Sequence, residues 1–271
     1  TTDFRRALSL GIDRQQLNNA FWLGLGVVGS TIPASVVVES PGDAYRLTWI
    51  AHDVKKANAM LDAIGLSKKD KDGFRLRTDN GQRLRLQIDV AQTLTPTWPQ
   101  QVEMIVQHWK AIGIWADAKL FERSLFYTRV RNDDNQMSIF SNGGTEALFL
   151  FPSAVLPTDP ISAQGGVGHA KWHSPNGAMG LKPESPEMLR AYAMLREAAS
   201  LPEAERNKKA QEIWKLAVDQ VWQIGLVGQS PNYMGTRVVN LKLMNVPERV
   251  CISQHCRTPW SARPDQWYYK P

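Results

Sequence analysis

The sequence predicts an α/β fold in which helices flank a mixed β-sheet. Segments with apolar residues at helical spacing alternate along the chain with short segments in which every second residue is apolar. This order is typical of α/β domains. Of the 271 residues, 43% are hydrophobic and 21% are charged, an ordinary globular composition with room for one large domain or two smaller ones.

Two helices are predicted at the start of the chain. Asp3 is the expected N-cap of the first, and its apolar face holds Phe4, Ala7, Leu8 and Ile12. The second begins at Asp13 and runs to about Trp22. Residues 24–29 then match G-x-G-x-x-G, but a dinucleotide-binding turn must follow a strand and open a helix. This one follows a helix and leads to Pro33, so it does not predict a nucleotide site.

A third helix and a hairpin come next. Asp53 is the expected N-cap of the helix, and Gly65 follows its C-terminus. The hairpin runs from Phe74 through the turn Asp79-Asn80-Gly81 to a return strand that ends at Val90.

The sheet continues with a helix, a strand, a helix and a strand. The first helix carries Val102 to Trp109 and stops at Gly113, and a strand covers Ile114 to Leu120. A short helix begins at about Ser124, and Met137 to Phe140 form the last strand.

The second half of the chain begins with an irregular segment. Residues 143–181 are rich in glycine and proline, and a stretch of this length predicts a functional loop or a surface segment. Two helices follow, starting at Ser185-Pro186 and at Pro202. Beyond Ile224 the pattern changes to short extended pieces, which predicts a boundary there.

Charge and hydropathy exclude several classes of protein. The net charge is +6, but the densest basic stretch, residues 67–72, is interrupted by acids and indicates a solvated loop rather than a nucleic-acid surface. No apolar run approaches the roughly 20 residues of a membrane span. The opening residues lead directly into a helix, so we expect any targeting segment to lie outside this chain.

Residue patterns do not support catalysis or metal binding. No G-x-S-x-G nucleophile turn is present, and no catalytic triad can be proposed from the sequence. His169 and His173 stand four apart, but Gly168 before them and Ser174-Pro175 after them argue against a helix that would align them. We therefore predict neither a catalytic residue nor a metal ligand, and no cofactor.

Cysteine and tryptophan usage leaves alternatives open. Cys251 and Cys256 are idle thiols if the protein is cytosolic, whereas an exported protein could join them in a short-loop disulfide. The chain has ten tryptophans. Those in predicted loops could stack on sugar rings or on ligand side chains: they are Trp49, Trp98, Trp172 and Trp260.

Several motifs in order resemble the family 5 extracellular solute-binding proteins, the dipeptide- and oligopeptide-binding group. Residues 4–14, FRRALSLGIDR, resemble its R-x-A-[LI]-x-x-[AG]-I-D-[RK] segment. The glycine-containing stretch 24–33, the helix 53–65 and the run 109–114, WKAIGI, are similar to later family elements. The resemblance covers nearly the whole chain.

The resemblance implies a protein of two lobes around a ligand cleft. By that pattern residues 1–223 form lobe II, residues 224–271 are the hinge and the return toward lobe I, and the N-terminal part of lobe I is absent. It also implies a non-enzymatic component of an ABC importer that is periplasmic, or extracellular and membrane-associated. Its implied partners are a small solute and a membrane permease, and no nucleic acid. The implied export favours the Cys251–Cys256 disulfide.

Peptide-binding members carry G-W-x-x-D after the last strand, and its aspartate holds the α-amino group of the ligand. Here Asn142 and Gly143 take the Gly-Trp places and Glu146 takes that of the aspartate. The missing tryptophan leaves room for longer peptides, opines or oligosaccharides, and Glu146 could also be a plain loop carboxylate. Strand ends face such clefts. The predicted ligand-binding residues are Gln92, Thr93, Phe140, Asn142, Gly143, Thr145 and Glu146.

A small α/β enzyme and a ligand-free adaptor module are the competing classes. The absence of a nucleophile turn speaks against a hydrolase, and a ligand screen would separate all three.

Overall fold

The computed structural model describes residues 1–92, 95–143, 147–174, 179–229, 239–248 and 262–270. The helices in this part of the chain are α1 Thr2–Leu10, α2 Arg14–Trp22, α3 Asp43–Arg46, α4 Val54–Ala63, α5 Trp98–Lys110, α6 Arg123–Asn132, α7 Val167–His173, α8 Pro186–Ala198 and α9 Glu203–Asp219. The strands are β1 Val27–Val28, β2 Arg85–Ala91, β3 Trp115–Phe121, β4 Met137–Ser138, β5 Val227–Gly228, β6 Leu243–Met244 and β7 Tyr268–Tyr269. None of the helices in the described ranges is both long and apolar enough to cross a membrane.

Side-chain caps fix most of the predicted helix starts. Asp13, Asp53 and Ser185 each accept a backbone N–H in the first turn of α2, α4 and α8. The prediction for α1 was wrong by two residues, since its cap is Thr1, whose Oγ1 accepts from the N–H of Phe4 at 3.4 Å. Asp3 lies inside the first turn instead, where a negative charge favours the helix dipole.

The largest sheet is parallel, in the order β3-β2-β4. Residue Arg85 pairs with Trp115, and the register runs on to Ala91 opposite Phe121. The predicted hairpin is present only as a short antiparallel bridge between Leu76 and Arg83. Its return strand leaves the hairpin and becomes the centre of the parallel sheet, because β3 and β4 supply a backbone partner on each side.

Two large apolar clusters hold the described residues together. The first packs α1, α2, α4 and α5 on the sheet, and includes Trp109, whose Nε1 donates to the carbonyl of Leu8 at 2.9 Å. The face of α5 predicted to be apolar is buried along its whole length, from Val102 to Trp109. The second cluster packs α8 against α9 around Tyr192 and Trp214. A smaller third cluster lies under α6 and α7.

Helix α7 contradicts the expectation that the glycine-rich segment is not helical. Gly166 enters the helix with a φ of 64°, and the N–H of Gly168 donates to Asp133 Oδ2 at 3.2 Å. A Cβ on Gly168 would lie 3.1 Å from that oxygen and 3.3 Å from Leu181. The glycines therefore permit close packing, and tertiary contacts override their low helix propensity.

The segment after α9 lies against the first two helices. Strand β5 pairs antiparallel with β1, Val27 opposite Gly228, and Arg14 Nε donates to the carbonyl of Gly225 at 2.8 Å. Arg14 also donates to the carbonyls of Ser9 and Ile50, at 2.9 and 3.0 Å. Burial lowers the pKa of Arg14 to about 10. Neutral carbonyl oxygens thus surround a buried cation at this junction.

Candidate functional site

The carboxyl ends of the three parallel strands meet at one edge of the sheet. Gln92 follows β2, Glu122 follows β3, and residues 139–143 follow β4. The N–H of Gln92 donates to the carbonyl of Phe121 at 3.0 Å, and that of Ile139 donates to Asp89 at 3.2 Å, so the strands keep their register to the end. We call Gln92, Phe121–Arg123 and residues 140–143 the carboxyl edge. Ligand sites of open α/β sheets lie at such an edge.

The structure places four of the predicted ligand residues on the carboxyl edge. Gln92 and Asn142 are exposed, Gly143 is half-buried beside Asn142, and Asn142 Nδ2 donates to the carbonyl of Thr31 at 3.1 Å. Phe140 is half-buried. The other three predicted residues, Thr93, Thr145 and Glu146, lie outside the described residues, as do Cys251 and Cys256.

Three aromatic rings pack around Phe140. Its ring centre lies 5.9 Å from that of Trp98, 6.2 Å from that of Tyr127 and 6.4 Å from that of Phe126, with the last pair stacked. Trp98 and Phe126 are buried, whereas Tyr127 is half-exposed. Phe140 is therefore held in place by three rings. Of these three, Tyr127 is the ring with solvent exposure.

A buried ion pair fastens α6 beside the carboxyl edge. Asp89 of β2 has no solvent exposure, and it accepts from Arg129 Nε at 2.9 Å and from Gln87 Nε2 at 2.6 Å. Arg129 also lies over the ring of Phe121, with its Cζ 4.7 Å from the ring centre. Sequence reasoning missed this pair, because Asp89 stands at one of the polar positions that alternate with apolar ones along β2, after Arg85 and Gln87.

Glu122 uses its carboxylate to cap α6. Its Oε2 accepts from the N–H of Ser124 at 2.7 Å and from that of Leu125 at 3.3 Å. These hydrogen bonds hold the pKa of Glu122 below its usual range. The carboxylate is charged at neutral pH and its oxygens already have donors.

The described loop tryptophans are not free platforms for a sugar. Trp98 begins α5 and is buried. Trp49 lies between two cations, Arg6 Cζ at 4.5 Å and Lys56 Nζ at 4.9 Å from its ring centre. Trp172 belongs to α7 and packs 6.0 Å from the ring of Tyr192. The fourth, Trp260, lies outside the described residues.

The histidines of α7 are engaged in packing. His169 Nδ1 lies 2.7 Å from the carbonyl of Leu181, and His173 stacks on Tyr192 at 4.4 Å. Within the residues that the structure describes, no three His, Cys, Asp or Glu side chains are grouped to hold a metal ion.

Comparison with known proteins identifies the family. Residues 1–151 match the family described as bacterial extracellular solute-binding proteins, family 5 middle. This chain is a family 5 solute-binding protein. The family is one of solute-binding transport proteins rather than of enzymes. No curated protein sequence matches the chain.

Solved structures confirm the family 5 fold. The oligopeptide-binding protein OppA is 26% identical over all of this chain and 43% of its own, with a TM-score of 0.74. MelB from Agrobacterium fabrum C58, in complex with stachyose, is 19% identical over 84% of this chain and 33% of its own, with a TM-score of 0.70. AppA from Bacillus subtilis, in complex with a nonapeptide, is 15% identical over 100% of this chain and 48% of its own, with a TM-score of 0.66. The chain thus spans less than half the length of each.

Proposed function

We propose that this chain is lobe II of a two-lobe protein that captures a small solute and delivers it to the permease of an ABC importer. The observation that carries the proposal is the carboxyl edge, where Gln92, Phe140 and Asn142 come together at the ends of parallel strands. Membership of a solute-binding family supports it.

The lengths of the related structures support the proposed domain assignment. Because the chain spans less than half of OppA, a second lobe would supply the other wall of the cleft. We assign residues 1–223 to lobe II, and residues 224–271 to the hinge and the return toward lobe I. Such proteins act in the periplasm, where closure of two lobes on a solute shifts an equilibrium by the differential affinity of the solute for the closed form.

The proposed mechanism is binding rather than catalysis. The side chains of the carboxyl edge suit hydrogen bonding to a solute: Gln92 and Asn142 offer exposed amides. Glu146 would add a carboxylate for an ammonium group, in the place that an aspartate holds in peptide-binding members of the family. Thr93, Gly143 and Thr145 complete the proposed ligand set beside Phe140.

Peptides are the first candidate solutes, and oligosaccharides are the second. OppA and AppA bind peptides, and Glu146 suits the α-amino group of a peptide. MelB was solved with stachyose, and uncharged amides such as Gln92 and Asn142 also suit sugar hydroxyls. Opines are a further candidate class.

A thermal-shift screen of the two-lobe protein tests the function. Alanine peptides of two to six residues, a mixed library of tri- to hexapeptides and stachyose are the probes. A bound solute raises the melting temperature in proportion to the logarithm of its concentration over Kd. A shift with one class and not the other identifies the solute class, and the absence of any shift contradicts the proposal.

Glu146→Gln tests the assigned carboxylate while keeping its shape. The Kd of a peptide with a free α-amino group should rise about ten- to hundredfold, because a charge-assisted hydrogen bond is worth roughly 1.5–3 kcal/mol. The control is the same peptide with an acetylated amino group, whose Kd should not change. Titration calorimetry measures both, and an unchanged Kd for the free amine contradicts the role of Glu146.

A further inference from the structure

Helix α6 carries two exposed arginines on one face, Arg123 and Arg131, on either side of Tyr127. Their Cζ atoms lie 5.9 and 5.7 Å from the centre of the Tyr127 ring. Within the described residues neither guanidinium has an ion pair or a hydrogen bond. Arg129 of the same helix, in contrast, is paired with Asp89.

Of these two arginines, only Arg123 belongs to the carboxyl edge. It is the first residue of α6 and follows Phe121, which pairs with Ala91, by two positions. Because α6 connects the parallel strands β3 and β4, it runs back toward the opposite edge of the sheet. Eight residues of helix rise by about 12 Å, so the backbone of Arg131 lies far from the carboxyl edge.

The contact with Tyr127 is weak enough for an anion to displace. A cation–π contact at an exposed site changes an equilibrium by about two- to fivefold, whereas a charge-assisted hydrogen bond changes it by about ten- to hundredfold. The neighbouring carboxylate of Glu122 does not compete with an anion for the guanidinium of Arg123. Its Oε2 already accepts the N–H groups of Ser124 and Leu125.

We infer that Arg123 binds an oxyanion of the solute, a carboxylate or a phosphate, at the carboxyl edge. This inference rests on the proposed function and narrows it, because it excludes a neutral oligosaccharide as the solute. The planar fork of arginine matches both oxyanions with two parallel hydrogen bonds. Arg123 is then a specificity-determining residue of the carboxyl edge.

Matched ligand pairs on the two-lobe protein test the inference. The first pair is tetraalanine, which has a free C-terminal carboxylate, and the same peptide with a C-terminal amide. The second pair is trehalose 6-phosphate and trehalose. The wild-type protein should bind the charged member of one pair about ten- to hundredfold more tightly than the neutral member. Preference for the charged peptide would identify the oxyanion as a carboxylate, and preference for the charged sugar would identify it as a phosphate. Arg123→Gln should abolish this discrimination, and the control Arg131→Gln should keep it.

Titration calorimetry gives distinguishable outcomes. If Arg123→Gln still discriminates between the charged and the neutral ligand as strongly as the wild type, the inference is overturned. Equal binding of charged and neutral ligands by the wild type also overturns it. An equal loss in Arg123→Gln and Arg131→Gln also overturns it, because it would indicate a general effect of charge. If the wild type binds stachyose alone, the inference fails and the proposed function stands. If no probe binds, including the peptide library, the proposed function itself fails.

Discussion

Asp89 is a charged side chain without solvent exposure that lies directly beneath the carboxyl edge. Its oxygens accept from Arg129 and Gln87, so it links β2 to α6. A buried carboxylate is stable only when its oxygens are paired in this way. The pair therefore helps to hold α6, and with it Arg123 and Tyr127, in addition to the apolar cluster that contains Phe126 and Val130.

Asp89→Asn should lower the free energy of unfolding by about 2–3 kcal/mol, because an amide would turn one N–H toward a donor and leave Arg129 without a counter-charge. The quarter exposure of Arg129 limits the loss, since water reaches the guanidinium. The control is Asp79→Asn, which removes the charge from the exposed pair with Arg77 and should change the free energy of unfolding far less, because exposed ion pairs contribute little to stability. Urea denaturation measures both, and equal losses would contradict the role of Asp89.

At the residue scale the sequence predicts the ends of strands better than the partners of side chains. Gln92 was expected at a ligand-facing edge because it follows a predicted strand, and Phe140 ends the next predicted strand of the edge. Asn142 was assigned by resemblance to the family motif. The Asp89–Arg129 pair joins residues 40 positions apart, and no local pattern indicates such a partner. The Cys251–Cys256 disulfide and the role of Glu146 stay predictions, because both lie outside the described residues.

Among the elements, the connection from α9 to β5 is packed tightly against backbone atoms at a glycine. A Cβ on Gly225 would press on the carbonyl oxygen of Gly29 and lie 2.6 Å from the carbonyl carbon of Ser30. Backbone atoms cannot give way as the end of a side chain can. A Cβ on Gly228, three residues later, meets nothing within 4 Å.

Gly225→Ala should therefore destabilise the protein by about 1–3 kcal/mol, the usual cost of overpacking. Gly228→Ala is the matched control, and its free energy of unfolding should stay within about 0.5 kcal/mol of the wild type. Thermal or urea unfolding compares them. If the two variants are equally stable, residues 224–228 are not held against β1 as described.

The turn between α1 and α2 depends on a neutral histidine of α5. The N–H of Asp13 donates to His108 Nδ1 at 3.3 Å, so His108 Nε2 carries the hydrogen and donates to Gln16 Oε1 at 2.6 Å. Burial lowers the pKa of His108 below its ordinary value of 6.5; the charge of His52 lowers it further, and Asp13 opposes both effects. The folded state therefore favours the neutral ring.

Stability should fall as the pH is lowered through 6.5 and below. As the pH falls, His108 is protonated at a higher pH in the unfolded chain than in the folded protein. The contribution of neutral His108 to the free energy of unfolding is therefore complete above the unfolded pKa and is lost as the pH falls toward the folded pKa. His173, whose pKa burial also lowers, acts in the same direction. His108→Gln should flatten the dependence of unfolding free energy on pH between 5 and 7, and an unchanged slope would contradict this prediction.

At the element scale, prediction succeeded where local chemistry decides and failed where packing decides. The caps Asp13, Asp53 and Ser185 are local signals, and they start their helices as predicted. Helix α7 and the partners of β2 were missed, because Asp133, β3 and β4 supply the deciding contacts from distant parts of the chain.

For the whole molecule, the three apolar clusters indicate that this chain has a core of its own. A ligand, however, is normally buried on most of its surface, and in the proposed arrangement one lobe offers a single wall of the cleft. We expect the chain alone to unfold cooperatively yet to bind a solute much more weakly than the two-lobe protein, since the entropic cost of immobilising the solute does not shrink with the contact area.

Titration calorimetry with one solute on both proteins tests this expectation. Equal Kd values would mean that the chain contains a complete site and that the second wall of the cleft is not needed. Urea denaturation of the chain alone serves as the control for folding.

The bond from Arg14 to Gly225 spans 211 positions of sequence, which has a consequence for the order of events during synthesis. At about 5–20 residues per second, the ribosome would need about 10 to 40 s after making Arg14 before its acceptor at Gly225 exists. Until then the guanidinium cannot be buried at this junction without an unmet donor, so the turn between α1 and α2 should stay hydrated. The complete set of acceptors around Arg14 therefore forms only after the segment that contains Gly225 has been synthesised.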